Sequence, residues 1–408
     1  MTRPQIAVTG LGLVTPAGIG VPATWSGVCA GRATAAIDPD LDGVPVPMSC
    51  RVPGFDARTA VGSQAWRMDR FVHLALTAAT EAVADAKWDP PTWDGARVGV
   101  VVGVGTESKY ATALAVEKTQ HRQYESVSPL TVPRMTLNAA AAEISIALGA
   151  LGPSLAVSTA CASGATALCM ARDLLLTGRC DVVLAGGAEA ACEPVTSTCF
   201  SRMGALSTRL RDPAGASRPF DADRDGFVLG EGAGILVLER NDDARARRAP
   251  VRALFAGHGT SSDGYHYAAA HPEGAGLERA FRAALNDAGL EPDDIGHVNA
   301  HGTSTPMNDR VEGLTLARVF AGHTPPVTSA KGALGHSLGA AGAIEAALSV
   351  LTLQTRTIPP IANTDRLDPD LDLDIVTKAV RNRPALRAVA STSCGFGGHN
   401  AVLVLAAC

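Results

Sequence analysis

Hydrophobic and polar positions along this chain change their period again and again. Residues 6–12, Ile-Ala-Val-Thr-Gly-Leu-Gly, form an apolar run that ends in a glycine turn, the pattern of a first strand. Residues 71–87 repeat apolar side chains at helical spacing, and residues 98–103 are an unbroken apolar run, the mark of a strand buried on both faces. Residues 106–133 are polar without a clear period and read as a loop-rich insertion beside a ligand or partner. Residues 138–148 return to helix. Leu155 to Ser158 reads as a short buried strand, followed from Ala162 by a helix on which Leu168, Cys169, Arg172 and Leu176 share a face. Residues 181–186 are another buried strand, and residues 227–238 a strand or bent strand pair with tight glycine packing.

The charged stretch 241–250, rich in arginine, reads as a solvated join. Beyond it the alternation resumes, with strands at 251–257, 296–300, 326–329, 388–393 and 400–405. Helices fall at 277–288, 309–320 and 339–354. Alternating strands and helices predict an α/β protein with mostly parallel sheets covered by helices. Ala156-Val-Ser-Thr-Ala-Cys161 echoes Val389-Ala-Ser-Thr-Ser-Cys394, which suggests two related halves, 1–250 and 251–408, each giving a corner to one site.

Composition narrows the class. Of 408 residues only 18% are charged and 46% are hydrophobic, as in a compact, heavily buried enzyme. A net charge of −5 argues against a nucleic-acid partner, and the 30 Arg against 5 Lys read as a coding bias. Nine cysteines without a C-x-x-C pair fit a reducing compartment, and no spaced Cys/His set suggests a metal. Arg3 ahead of the apolar run 6–14 has the look of a signal peptide, but Gly10, Gly12, Thr15 and Pro16 break it. Thr15-Pro16 also spoils a dinucleotide fingerprint. Residues 144–171 lack charge for more than a membrane span, yet Gly149, Gly152 and Pro153 cut the stretch. The expectation is a cytoplasmic protein with no membrane partner.

Candidate chemistry centres on Cys161, at the junction of a strand and a helix. Unpaired N–H groups and the positive end of the helix dipole favour a thiolate there, and Ala160, Ala162, Ser163 and Gly164 leave room beside the sulfur. Free cysteines are usually packed and inert, so the setting matters more than the residue. Cys394 is a rival nucleophile, but Gly-Phe-Gly-Gly-His-Asn and a strand follow it, so no helix dipole activates it. Asn299-Ala-His301-Gly-Thr-Ser-Thr-Pro follows a strand, and Lys331-Gly-Ala-Leu-Gly-His336-Ser-Leu-Gly-Ala precedes a helix. Both histidines fall at strand-to-loop junctions, where α/β sites form.

These stretches, with Val8-Thr-Gly-Leu-Gly, Arg218-Pro-Phe-Asp, Asp225-Gly-Phe-Val-Leu-Gly-Glu-Gly-Ala-Gly and Gly395-Phe-Gly-Gly-His-Asn, run the length of the chain. In this order they resemble the elongating β-ketoacyl-acyl carrier protein synthases of the thiolase-like superfamily. The resemblance implies a layered αβαβα fold of two related halves. It also implies a Cys161–His301–His336 triad, which loads an acyl group on Cys161 and condenses it with malonyl-acyl carrier protein. The N–H groups of Cys161 and Phe396 would form one oxyanion hole and the two imidazoles the other. Lys331 would support the site within a network that includes Glu312, which would otherwise pass for an exposed helix carboxylate. Thr303 and Thr305 would hold the phosphopantetheine arm, Phe396 would swing as a gate, and residues 263–276 would form a second gate facing it. No free cofactor is implied, since the phosphopantetheine arrives on the carrier protein. The expected assembly is a dimer through a strand near Cys161, either a homodimer or a heterodimer with a chain-length-factor homologue.

A chain-initiating synthase would carry Asn where His336 stands, and a degradative thiolase would need Cys394 as an acidic second cysteine. A non-catalytic chain-length factor would lack Cys161. Asn308-Asp-Arg-Val-Glu312 and Gly335-His-Ser-Leu-Gly-Ala340 resemble type II polyketide ketosynthases. Thr303-Ser-Thr-Pro306 and Gly397-Gly-His-Asn400 look like fatty-acid synthases. The polyketide pathway is the first expectation, and β-ketoacyl-ACP synthase II of fatty-acid elongation the alternative.

Overall fold

The computed structural model describes residues 4–321 and 324–408, so Arg3 of the signal-like run lies outside the described residues. The first half supplies β1 (Ile6–Thr15), β2 (Val98–Gly103), β3 (Ser154–Val157), β4 (Val182–Ala190) and β5 (Leu229–Arg240). The second supplies β6 (Ala253–Ser262), β7 (His297–Asn299), β8 (Val327–Thr328), β9 (Ala388–Gly395) and β10 (His399–Ala406). They lie in the order β8-β7-β9-β10-β6-β1-β5-β4-β2-β3, joined where Ile6–Val8 pairs antiparallel with Ala253–Phe255. Read outward from that joint, each half runs first, fifth, fourth, second, third. The directions repeat too: antiparallel, antiparallel, parallel, parallel. The expectation of mostly parallel strands is therefore wrong. Each half is mixed, because its fifth strand returns alongside both the first and the fourth.

The layers follow from alternation along these strands. In β2, Val98, Val100 and Val102 pack with α1 (Arg70–Asp85) and α3 (Ala139–Leu148) on the outside, while Val101 faces inward. In β10, Val402 and Val404 pack outward against α6 (Ala275–Ala288) and α7 (Pro306–Val319), while Ala401, Leu403 and Leu405 face inward. The inner faces meet α4 (Ser163–Leu176) and α8 (Ala341–Thr355), which lie between the sheets. The result is αβαβα. At Gly164 an added Cβ would meet Gly339 O at 2.8 Å and Ala343 N at 2.9 Å, so α4 and the start of α8 approach too closely for any side chain. Residues Leu338–Thr355 are apolar and long enough to cross a membrane, but 89% of that stretch is buried in this middle layer.

Three other readings change. Residues 106–133 contain a full helix, α2 (Lys109–Gln120), whose exposed position removes the need for an apolar period. Of the two readings of residues 227–238, the single strand stands, as β5. The strand β3 is largely exposed rather than buried, because it is the sheet's outer edge. Finally, the repeated Ser-Thr segments are not equivalent corners, since Ala156 lies on the third strand of its half and Val389 on the fourth. The counterpart of β3 and α4 is β8 and α8.

Candidate active site

The corner after β3 is built by short hydrogen bonds. Thr159 N donates to Ser163 Oγ at 2.9 Å, and Ser163 Oγ donates to Ala160 O at 2.6 Å. Ala160 is held at φ 50°, a conformation rare for a residue with a Cβ. Cys161 follows it, one residue before the helix cap Ala162, and is buried. The counterpart corner after β8 supplies Lys331 and His336, and the loop after β7 supplies His301.

Of these, Cys161, His301 and His336 line one cavity of about 140 Å³, together with Thr303, Thr305, Asn308, Cys394 and Phe396. The His301 and His336 rings meet edge to face, 5.2 Å between centroids, and Phe227 packs edge-on against His336 at 5.3 Å. His336 is fixed to β5 by its N–H on Val228 O (2.8 Å) and its carbonyl on Gly230 N–H (3.0 Å). The Nδ1 atoms of both histidines are buried with no hydrogen-bond partner. Burial first, then the Lys331 charge, holds both imidazoles well below the usual histidine range, so both are neutral at pH 7.

The thiolate expected at Cys161 is not the resting form. Burial pushes the thiol up to about 12, against the opposing pull of Lys331 and of the N–H groups of Phe396 and Cys161. Desolvation outweighs the helix end at this buried position. Those same two N–H groups lie close enough to the sulfur to favour its thiolate. Cys394 shares the cavity but is pushed well up by burial and by the charges of Glu312 and Asp263.

Glu312 is buried, not an exposed helix carboxylate. Its Oε1 accepts from His301 N (2.8 Å) and Thr392 Oγ1 (2.6 Å), and its Oε2 accepts from Gly302 N (2.8 Å). It thus holds the His301 loop. The ion-pair partner of Lys331 is instead Glu345, buried on α8 beneath it. Burial raises Glu345 to about 7 despite Lys331, and its Oε2 has no partner. Sequence reading missed Glu345, although it is the one charged residue in the apolar run 339–354. Thr303 and Thr305 hydrogen-bond each other at 2.8 Å at the cavity wall, and Thr305 caps α7.

Phe396 packs against Phe200, on α5 (Pro194–Arg202), with centroids 6.1 Å apart. It precedes Gly397 and Gly398, both in the left-handed region at φ 86° and 74°. Gly397 N donates to Tyr267 O and Asp263 N to Gly398 O, each at 2.8 Å, so residues 263–276 are tied to the Phe396 turn. Among the described residues no cluster of three or more His, Cys, Asp or Glu could hold a metal ion.

A cysteine and two neutral imidazoles on one cavity, in a layered αβαβα fold, place the chain in the thiolase-like class of acyl-transfer enzymes. Residues 3–244 match the β-ketoacyl synthase N-terminal domain and residues 252–365 the C-terminal domain. The chain belongs to the β-ketoacyl synthase family. It is 39% identical to 3-oxoacyl-[acyl-carrier-protein] synthase 2 of Staphylococcus aureus (strain COL), over 98% of this chain and 97% of that protein. A β-ketoacyl synthase from Burkholderia phymatum STM815 superposes with a TM-score of 0.93 at 32% identity, over 99% of this chain and 100% of that one. A chain of the ishigamide ketosynthase/chain length factor gives 0.91 at 33% identity, over 100% of both.

Proposed function

We propose that this enzyme loads an acyl group from a carrier-protein thioester onto Cys161 and condenses it with malonyl-acyl carrier protein, in a type II polyketide pathway. The observation that carries the reading is the convergence of Cys161, His301 and His336 on one cavity. In the first step the Cys161 sulfur attacks the thioester carbonyl, and its proton passes to a neutral imidazole. The oxyanion is received by the N–H groups of Cys161 and Phe396. The carbon–sulfur bond to phosphopantetheine breaks, and the departing thiolate takes the proton. In the second step the malonyl carboxylate leaves as CO₂, and its bonding pair becomes an enolate. Imidazole N–H groups of His301 and His336 stabilise the enolate oxygen. The enolate carbon attacks the acyl thioester, and Cys161 departs.

Burial, with the Lys331 charge second, keeps both imidazoles neutral and hence able to take the Cys161 proton, Glu312 positions His301, and Thr303 and Thr305 meet the pantetheine arm. The halves 1–250 and 251–408 divide the work, the first bringing the nucleophile and the second the enolate-stabilising groups. The phosphopantetheine is the carrier protein's, with no free cofactor, and nine free cysteines suit the cytoplasm. The exposed edge β3 is the surface for a homodimer or for a chain-length-factor homologue. Fatty-acid elongation is the second reading, favoured by the 39% identity to the Staphylococcus synthase. Intact-mass detection of acyl-Cys161, followed by assay with malonyl-carrier protein, tests the reaction. Absence of mass gain on Cys161 would refute it.

A further inference from the structure

Four elements of the second half meet again at the end opposite the site. β7 is entered through Ile295 and Gly296 and β9 begins at Ala388, while β10 ends at Ala406 and α8 at Thr355. Their other ends lead to His301, the Phe396 turn and the His336 corner. Between them lies a cavity of about 530 Å³ that shares no lining residue with the Cys161 cavity. Along α8 it stands about 15 Å beyond Glu345, at a rise of about 1.5 Å per residue.

Three arginines line this cavity: Arg356, just past α8, and Arg383 and Arg387, in the segment that leads into β9. Main-chain bonds fix where they stand. Arg383 N donates to Arg356 O, and Ala407 N donates to Arg387 O, each at 2.8 Å. Their guanidinium groups are not held in the same way. Elsewhere the chain pairs its arginines, as where Arg97, Arg240 and Arg247 each meet a carboxylate at 2.5 to 2.8 Å. Among the described residues these three guanidinium groups have no hydrogen-bond or ion-pair partner, although Asp293 and Asp294 line the same cavity. Nη1 of Arg356 is, in addition, buried.

A guanidinium stays charged at neutral pH, and a buried N–H left without an acceptor is costly. Three of them around one concavity call for anionic oxygens, and their planar forks match phosphate best. The volume is that of a small-molecule site, and a chain of net charge −5 is poorly suited to nucleic acid. Leu290, Ile295, Pro325 and Ala388 add an apolar wall. Asp294 is taken up by Glu291 N, which donates to it at 2.9 Å, but Asp293 is left to accept from a ligand hydroxyl. We propose that this cavity binds a nucleoside diphosphate. The arginines take the phosphates, the apolar wall takes the base, and Asp293 takes the sugar hydroxyls.

The test is calorimetric titration of the full-length protein with ADP and, separately, with adenosine. ADP should bind with a Kd of about 0.1 mM or below, and adenosine at least about tenfold more weakly. Arg356→Met should weaken ADP roughly tenfold, and Arg383→Gln combined with Arg387→Gln about a hundredfold, with adenosine hardly changed. Arg383 and Arg387 are exposed, so the double variant keeps the proposal testable should Arg356→Met fail to fold. No binding of ADP, equal affinity for ADP and adenosine, or an ADP affinity unmoved in the double variant overturns the site. None of these results bears on the reaction at Cys161, which the proposal does not use.

Discussion

The two halves build the same corner twice and use it differently. In each, a third strand at the end of the sheet feeds a turn and then a helix of the buried middle layer. After β3 the turn presents Cys161, and after β8 it presents Lys331. The edges differ as well. The backbone of Val327 on β8 is capped by residues 374–376, with Val327 N on Asp374 O at 2.8 Å and Val376 N on Val327 O at 3.1 Å. Among the described residues no strand pairs with the outer side of β3. The duplicated scaffold thus supplies position, while the residue placed at each corner supplies chemistry and the covering of each edge decides which side is left open to a partner.

The hardest test of the first corner is to remove its thiol. Cys161→Ala should abolish acyl loading, whereas Cys394→Ala should keep it largely intact, as seen by iodoacetamide labelling and peptide mapping. Labelling of Cys394 with Cys161 untouched would reverse the assignment.

The second corner is tested by stripping Lys331 of its counter-ion. Glu345→Ala leaves a buried ammonium unpaired and should cost about 3–5 kcal/mol in chemical denaturation. Lys331→Met with Glu345→Leu should recover most of that stability yet remain impaired in decarboxylation, which separates the fold's need for a neutral pair from the site's need for the charge.

His301→Ala and His336→Ala should each slow malonyl decarboxylation by roughly 10²–10³ while some acyl-Cys161 still forms. A variant that decarboxylates at the wild-type rate would lose its proposed role.

The open edge gives a smaller effect. Ala156→Lys would set like charges across a strand pairing and should shift sedimentation at micromolar concentration toward monomer. An unchanged dimer would exclude β3 as the joint.

The smallest effect concerns Glu193, half-buried at the cap of α5 and facing the start of α2, which burial raises from 4.5 to about 7. An acid raised on folding contributes stability that is full below its unfolded value and lost as pH rises through the folded one. Stability should therefore fall between pH 4.5 and 7, and Glu193→Gln should flatten that fall by about 1 kcal/mol, the solvent-facing part discounted. An identical slope in thermal melts from pH 4.5 to 7 would rule the residue out.

Local pattern was enough to find β2, β4, α1, α4 and α8, because apolar runs and helical periods are set by residues within a few positions of one another. The same is true of the turns that carry Cys161, His301 and His336, which neighbouring glycines and small residues mark at strand ends. Tertiary structure alone decided the rest. That α4 answers α8, and not the second Ser-Thr segment, is a matter of strand order, which no local pattern encodes. The open edge of β3 and the exposure of α2 depend on what packs beside them. The protonation states also lay beyond the sequence. The helix end predicts a thiolate at Cys161, and only its burial in the fold reveals that desolvation wins. Glu345 stood in plain view as a lone acid in an apolar helix, but its partner, Lys331, became identifiable only when the chain folded the one beneath the other.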